Sequence, residues 1–179
     1  MVNLQAQPLD ESYNKVQGFY CGNNYLDNYL LRTYQALEDH ISNLASTTTI
    51  IDRKAHKVVA YITTRCSSLK ISEEEVLELG LQDEYVVPAV EVKCLAVDLD
   101  YQNQGLGDKI LKSIVGKSIE FSRHFGCRYV FLWAVPELNV LAFYKKRKFE
   151  IMETIDKDNN LRLMRFLIPE IDSNWFNEA

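Results

Sequence analysis

A strand-like run, a turn with two glycines and an amphipathic stretch follow one another between Val92 and Phe121. After the turn, apolar residues recur at helical spacing at Ile110, Leu111, Ile114, Val115 and Ile119. The first turn of a helix leaves backbone N–H groups unpaired, and Gly105 and Gly107 lack the Cβ atoms that would block a ligand from them. The segment therefore predicts an anion site suited to pyrophosphate, with an ordinary glycine turn as the alternative.

Two well-known phosphate-binding glycine patterns do not describe this turn. A Rossmann fingerprint needs G-x-G-x-x-G, and a Walker loop needs a lysine after its last glycine. Neither spacing is present between Gln102 and Asp108. The site, if it binds pyrophosphate, belongs to another class.

Length, charge and hydropathy limit the function classes. The 179 residues predict one domain over 1–179, long enough to bury a sizeable core. The net charge of -5, from 20 basic and 25 acidic residues, argues against nucleic-acid binding as a general property. The polar N-terminal stretch lacks the apolar core of a signal peptide, and no apolar run reaches membrane-spanning length. A cytoplasmic protein without membrane contact is predicted.

Cysteine and histidine spacings predict no metal site. The four cysteines and three histidines are scattered, without a CxxC pair or a zinc-type spacing. They are Cys21, Cys66, Cys94, Cys127, His40, His56 and His124. Reduced cysteines, and histidines in surface or packing roles, are expected.

The succession of patterns predicts an α+β fold. A short strand within 3–9 precedes a helix over about 21–44, capped by Asn23 or Asn24, and a hairpin over 46–71. An acidic helix or loop over 72–85 leads to a strand that begins after Pro88 and ends at Val97. The glycine turn and its helix then precede a buried strand over 127–135, a second helix over 139–149 and a closing hairpin over 150–168. This order predicts a mixed, mostly antiparallel twisted sheet with helices on both faces.

Two sequence blocks resemble the GNAT superfamily of N-acetyltransferases. The stretch Gln102–Gly107 matches the acyl-CoA loop pattern Q/R-x-x-G-x-G/A, and Asn139–Lys145 is similar to the helix N-x-x-A-x-x-F-Y-x-K. The resemblance is specific from about Ala89 to Phe149. One departure is Lys148, where the family usually has glycine; it predicts either a left-handed cap at this lysine or a different helix end.

The resemblance implies acetyl-CoA as acetyl donor, without a metal. The backbone of Leu95, Ala96 and Val97 would pair with the pantetheine arm, and the amides from Gln104 to Asp108 would hold the pyrophosphate. The implied cofactor residues are Leu95, Ala96, Val97, Gln102, Asn103, Gln104, Gly105, Leu106, Gly107, Asp108, Asn139, Phe143 and Tyr144.

The resemblance also implies catalytic roles. Tyr144 would protonate the departing thiolate; the alternative is an aromatic residue that only packs. Attack needs a neutral amine, and Glu91 lies six residues before Val97, at the offset of the base in some family members. Alternation would put Glu91, Lys93, Leu95 and Val97 on one strand face. A solvent-facing Glu91, with water as the proton acceptor, is the competing interpretation.

An upstream segment leaves the acceptor open. Phe19–Leu30 resembles the F-x-C-G-N-x-x-L-D-x-Y-L segment of a GNAT subgroup that includes toxins acetylating aminoacyl-tRNA and neutralised by an antitoxin. Cys21 within it is predicted to pack and not to act as a nucleophile. The acidic segment 71–85 instead favours a cationic amine of a small molecule or peptide, attacked in a ternary complex. A tRNA-acetylating toxin with an antitoxin partner and a non-catalytic acyl-CoA-binding module are the second and third hypotheses; a homodimer is left open.

Overall fold

The computed structural model describes residues 3–82 and 85–170. By its internal contacts the chain divides into two compact units, one comprising Met1–Arg65 with Val92–Ser113 and the other Cys66–Glu91 with Ile114–Ala179. The two units alternate along the sequence, with boundaries after Arg65, Glu91 and Ser113. A single domain over 1–179 stays a prediction.

Seven strands of the described chain form one mixed sheet in the order β1-β2-β3-β4-β5-β7-β6. They are β1 Leu4–Pro8, β2 Ser46–Asp52, β3 Lys57–Lys70, β4 Val86–Val97, β5 Tyr129–Ala134, β6 Glu150–Asp156 and β7 Leu161–Leu167. β4 pairs with β5 in parallel, whereas β1–β2, β2–β3, β5–β7 and β6–β7 are antiparallel. The α+β class with a mostly antiparallel sheet is confirmed, and both predicted hairpins are present. β4 begins at Val86, two residues before Pro88, whereas the sequence predicted a start after that proline.

Six α-helices lie within the described residues. They are α1 Leu9–Ser12, α2 Asn24–Leu31, α3 Gln35–Ile41, α4 Glu73–Glu78, α5 Leu106–Ser122 and α6 Leu138–Lys145. The single helix predicted over 21–44 is wrong: α2 and α3 are separate, because Tyr34 between them takes a left-handed φ of 55°. Asn23 is the cap of α2, since its side chain accepts from the N–H groups of Tyr25 and Leu26.

Each unit has its own apolar core. In the first unit, Leu30 of α2 and Leu9 of α1 are fully buried with Tyr61 of β3, and Phe19 meets the Tyr61 ring edge-on at 5.6 Å between centroids. In the second unit, Val76 of α4 packs with Phe131 of β5. Of the periodic apolar residues in α5, Ile110 and Leu111 are buried as their spacing predicts, whereas Ile114, Val115 and Ile119 are half-buried.

β4 does not follow a single alternation of buried and exposed residues. Val87, Ala89 and Glu91 are buried up to the middle of the strand, and Val92 is buried directly after Glu91. From there the buried positions are the even-numbered ones, while Lys93, Leu95 and Val97 are half-buried. The pattern changes phase at Glu91–Val92, so the predicted grouping holds for Lys93, Leu95 and Val97 but Glu91 differs from them in burial.

No helix among residues 3–82 and 85–170 has the length and apolar character needed to cross a bilayer. The cellular compartment stays a prediction.

Candidate functional site

The loop from Asp98 to Gly105, which we call the Gly105 loop, is held by its own hydrogen bonds. The Asp98 carboxylate is buried, accepts from the Asp100 N–H at 3.2 Å and lies 3.4 Å from the Lys57 ammonium. The Gln104 amide donates to the Asp100 carbonyl at 3.0 Å. Asn103 and Gly105 both have positive φ angles, of 57° and 77°. The loop conformation is thus determined by the protein itself, before any ligand is considered.

The Gly105 loop ends at the start of α5, and Gly105 joins the two. The Lys109 N–H donates to the Gly105 carbonyl at 3.2 Å as the first bond of the helix, which makes Gly105 the cap residue. The N–H groups that precede this first bond lie at the N-terminal end of the helix. A Cβ built on Gly105 would meet no atom of the described chain within 4 Å, but its φ disfavours every other residue type. The loop therefore leads into a helix N-terminus, and the binding of pyrophosphate there stays a prediction.

Acidic Asp108 occupies the first turn of α5, where its charge would oppose a phosphate. The Lys112 ammonium lies 2.9 Å from the Asp108 carboxylate, one helical turn further on. This pairing reduces the negative charge at the helix start, so the predicted role of Asp108 rests on its backbone N–H.

Gln102, a predicted cofactor residue, directs its side chain into the protein. Its amide nitrogen donates to the backbone carbonyls of Cys21 at 3.0 Å and Val97 at 2.9 Å. The Val97 carbonyl, one of the groups predicted to pair with pantetheine, thus already accepts a bond from its own chain. Of the other two predicted pantetheine residues, Ala96 is buried and Leu95 is half-buried.

A charged cluster that the sequence did not predict includes Lys93 of β4. The Lys93 ammonium lies 2.7 Å from the Asp39 carboxylate, which also accepts from the Tyr29 hydroxyl at 2.9 Å. Burial would raise the pKa of Asp39, but the bonds from Lys93 and Tyr29 outweigh it and hold that pKa below its usual range. Burial, followed by the hydrogen bond to Asp39, raises the pKa of Tyr29. No sequence signal joins these residues, because they come from α2, α3 and β4.

In the second unit, α6 presents the motif residues. Asn139 is exposed near its start, and Phe143 and Tyr144 are half-buried. The Tyr144 ring meets Phe143 edge-on at 5.0 Å and Phe149 at 5.8 Å between centroids. The Arg147 guanidinium carbon lies 3.7 Å from the centre of the Phe143 ring, and the guanidinium donates to the Phe143 carbonyl. Packing orients the Tyr144 ring, and one face of Phe143 is covered by Arg147.

Lys148, just beyond the end of α6, takes the left-handed conformation, which is one of the two predicted alternatives. Its φ is 64°, its N–H donates to the Lys145 carbonyl at 3.0 Å, and the Phe149 N–H donates to the Tyr144 carbonyl at 3.2 Å. These two bonds and the Tyr144–Phe149 ring contact form a Schellman cap with lysine in place of glycine. Of the two predicted helix ends, the left-handed cap is confirmed.

Glu91 is buried within β4. It retains 7% of its accessible surface and lies opposite Phe131 in the parallel pairing with β5. The interpretation of a glutamate turned to water is therefore disfavoured. A buried carboxylate requires polar partners, and the role of Glu91 as a base stays a prediction.

The acidic segment forms a helix with a structural glutamate. α4 begins with a capping box in which Ser72 and Glu75 bond each other's backbone N–H groups. Glu75 also accepts from the Tyr129 hydroxyl at 2.7 Å and from Arg165 at 2.6 Å. Burial would raise the pKa of Glu75, yet these donors hold it below its usual range. Glu73, Glu74 and Glu78 are exposed, and Asp83 and Glu84 lie outside the described residues.

The thiol of Cys21 is half-buried. Burial raises the pKa of Cys21 to about 12, so its thiol stays protonated near neutral pH, as expected for a packed residue. The four cysteines are free thiols. No group of three or more potential metal ligands occurs among residues 3–82 and 85–170.

The model of the acetyltransferase (GNAT) family matches residues 19–149 of the chain. No curated protein matches it. Among solved structures, one described as a bacterial toxin is 19% identical, with a TM-score of 0.77 over 94% of this chain and 92% of that one. AtaTR bound with acetyl-CoA is 20% identical, with a TM-score of 0.75 over 93% and 94%. AtaT complexed with acetyl-methionyl-tRNAfMet is 18% identical, with a TM-score of 0.73 over 92% and 95%. At these identities the likeness shows the fold.

Proposed function

Because the chain belongs to the acetyltransferase (GNAT) family and is therefore an acyltransferase, we propose that it moves the acetyl group of acetyl-CoA to a primary amine. The observation that carries this proposal is the Gly105 loop. It is held by its own hydrogen bonds and leads into the N-terminal end of α5, where the helix dipole favours an anion. Acetyl-CoA supplies such an anion in its pyrophosphate. The solved AtaTR structure with acetyl-CoA supports the same donor.

The proposed reaction is a direct attack in a ternary complex. The amine nitrogen attacks the thioester carbonyl, the C–N bond forms and the C–S bond breaks. The proton lost by the amine goes to Glu91 or to water, and the departing thiolate takes a proton from the Tyr144 hydroxyl. Each proton transfer by a positioned group contributes about 10²–10⁴-fold to the rate.

We propose a small-molecule or peptide amine as the acceptor, with the α-amino group of an aminoacyl-tRNA as the second candidate. The net charge of -5 and the exposed carboxylates of Glu73 and Glu74 favour a cationic amine over a polyanion. The second candidate is supported by the Phe19–Leu30 segment and by the AtaT structure with acetyl-methionyl-tRNAfMet. An antitoxin partner belongs to that candidate, and a solved AtaT structure includes the C-terminus of AtaR.

The test is a transfer assay with the purified full chain, acetyl-CoA, and a panel of polyamines, lysine peptides and aminoacyl-tRNA. Free CoA and acetylated product are measured together, so that hydrolysis is distinguished from transfer. Tyr144→Phe should lower turnover by about 10²-fold or more while acetyl-CoA binding persists, because the ring and its packing remain. Tyr85→Phe, at an exposed tyrosine of the same unit, is the matched control.

Three outcomes would contradict parts of this proposal. Binding of acetyl-CoA without transfer to any amine would favour the hypothesis of a non-catalytic acyl-CoA-binding module. Efficient acetylation of aminoacyl-tRNA above all other acceptors would replace the small-amine acceptor with the tRNA candidate. Equal turnover of wild type and Tyr144→Phe would remove the tyrosine from the mechanism.

A further inference from the structure

The side chain of Gln102 uses both of its donors on the protein. Its partners are the carbonyls of Cys21 and Val97, at 3.0 and 2.9 Å, and carbonyls can only accept. The contacting atom must therefore be the amide nitrogen, which has two hydrogens to donate. Both hydrogens are engaged, so this nitrogen has none left for a phosphate oxygen. The residue that opens the acyl-CoA motif thus acts on the chain itself.

Two further hydrogen bonds and the close approach of Gly22 to Leu99 join the same two segments. The Tyr20 N–H donates to the Asp98 carboxylate at 3.2 Å, and the Leu99 N–H donates to the Tyr20 carbonyl at 2.9 Å. A Cβ on Gly22 would lie 3.4 Å from the Leu99 side chain, so the two segments also pack closely there. Asp98 is 3% exposed, which makes its bond to Tyr20 a partly buried, charge-assisted one. Residues 20–22 are thereby held along residues 97–102.

The segment 20–22 leads directly into α2. The Cys21 N–H donates to the Asp27 carboxylate at 2.9 Å, and Asp27 is itself buried. Asn23, the next residue but one, caps α2. A continuous set of hydrogen bonds thus runs from the Gly105 loop through Gln102 to the first turn of α2.

We infer that Gln102 is a positioning residue that couples acetyl-CoA binding at the Gly105 loop to the ordering of residues 20–26 at the start of α2. The inference rests on the proposed role of the loop in binding acetyl-CoA. Ordering a backbone residue is unfavourable in entropy, so two segments joined by shared bonds order more readily together than apart. By reciprocity, a ligand that stabilises the existing loop conformation also stabilises the ordered start of α2, and loosening that start weakens the binding of the ligand.

The test combines hydrogen exchange with steady-state kinetics on the full chain. Gln102→Leu removes both donors, Gln102→Arg restores a donor-bearing side chain, and Gln104→Leu removes the bond to Asp100 within the same loop. Exchange is followed at residues 18–27 without ligand and at saturating acetyl-CoA. The Michaelis constant for acetyl-CoA and the turnover number are measured for Gln102→Leu and Gln102→Arg.

Gln102→Leu should speed exchange at residues 20–22 about tenfold in the ligand-free protein, with partial recovery when acetyl-CoA is added. Its Michaelis constant for acetyl-CoA should rise about three- to tenfold, with turnover at saturation changed by less than about twofold. Gln102→Arg should recover most of the protection and the lower Michaelis constant. Gln104→Leu should leave exchange at residues 20–22 unchanged.

Unchanged exchange at residues 20–22 in Gln102→Leu would overturn the inference, because the hydrogen bonds of Gln102 would then not stabilise that segment. Faster exchange with an unaltered Michaelis constant would overturn the coupling. Failure of the wild-type protein to bind acetyl-CoA would overturn the proposed function and, with it, the coupling. The difference in exchange between wild type and Gln102→Leu without ligand would still show whether Gln102 stabilises residues 20–22.

Discussion

At the scale of single residues, side chains that look equivalent in sequence have different positions in the structure. Lys148 and Lys146 both belong to a basic run at the end of α6. Lys148 has a φ of 64°, whereas Lys146 has a φ of -58° in the helical region. A non-glycine residue in the left-handed region costs about 1–2 kcal/mol relative to its ordinary conformation. The two lysines should therefore respond oppositely to glycine.

Lys148→Gly should stabilise the protein by about 0.5–1 kcal/mol, because relief of the left-handed strain exceeds glycine's larger entropy loss on folding. Lys146→Gly, the matched control, should destabilise it by about 0.5–1 kcal/mol. Urea unfolding of both variants measures the difference. Destabilisation by Lys148→Gly would show that the lysine side chain contributes more at this cap than its backbone strain costs.

Glu91 permits a second residue-scale prediction, on the pH dependence of turnover. If Glu91 accepts the proton of the amine, Glu91→Gln should lower turnover by about 10²-fold near pH 6.5. The deficit should shrink at pH 9, where more acceptor is already the free amine. Glu153→Gln, at an exposed glutamate of β6, is the control, and thermal unfolding checks that the buried site tolerates the amide. A deficit that is absent at every pH would leave water as the acceptor.

At the scale of elements, α4 is joined to the sheet of its unit by one carboxylate. Glu75 binds the Tyr129 hydroxyl of β5 and Arg165 of β7, and the Arg165 guanidinium carbon lies 4.6 Å from the centre of the Tyr129 ring. Its neighbours Glu73 and Glu74 are exposed. The acidic run therefore contains one structural residue among solvated ones, which the composition of the run does not reveal.

Glu75→Gln should destabilise the protein by about 1.5–3 kcal/mol, because it removes a charged acceptor and leaves the half-buried Arg165 cation unmatched. Glu74→Gln should change stability by less than about 0.5 kcal/mol. The pKa of Glu75 is lowered on folding, so its stabilisation is present above the ordinary glutamate pKa and is lost as the pH falls through the folded value. The difference between wild type and Glu75→Gln in denaturant unfolding should accordingly narrow below about pH 4. A difference independent of pH would assign the effect to packing.

The exposed members of the same run carry a prediction about the acceptor. Glu73→Gln combined with Glu74→Gln should raise the Michaelis constant for a cationic amine about two- to fivefold and leave that for a neutral amine unchanged. Added salt should reduce the wild-type preference for the cationic amine, because exposed charges are screened. An unchanged Michaelis constant would mean that these carboxylates serve solubility alone.

At the scale of the whole molecule, ligand binding should appear as global stability. A ligand that binds only the folded chain stabilises it by about 2.7 kcal/mol at a hundredfold excess over its dissociation constant. Acetyl-CoA should therefore raise the melting temperature of the wild type. Gly105→Asp should abolish this rise, since it places a side chain and a negative charge at the helix start and strains a φ of 77°.

Gly116→Asp is the matched control for that experiment. Gly116 lies in the same helix, and a Cβ there would meet no described atom within 4 Å and would need no unusual φ. The Gly116→Asp protein should keep the full acetyl-CoA shift. A full shift in Gly105→Asp as well would place the cofactor elsewhere and overturn the loop assignment.

Some features follow from the sequence alone because they depend on neighbours in the chain. The strand, glycine turn and helix from Val92 onwards and the two hairpins result from local backbone and side-chain preferences. For the cap of α2 and the conformation of Lys148 the sequence left two alternatives each, between which the structure decides. The motif spacing around Gly105 and Tyr144 likewise indicates the family, because each motif is a continuous stretch of the sequence.

Other features arise only when distant segments meet. Nothing local indicates that Tyr34 divides a helix, that Glu75 bonds Arg165, or that Lys93 lies beside Asp39. The same holds for Gln102. The motif predicts a cofactor residue there, whereas its side chain donates to the Cys21 carbonyl, 81 positions earlier in the chain. Sequence patterns determine which elements form, because their causes lie within a few residues. Tertiary structure decides the partners of the polar groups, since each buried donor must find an acceptor wherever the fold provides one.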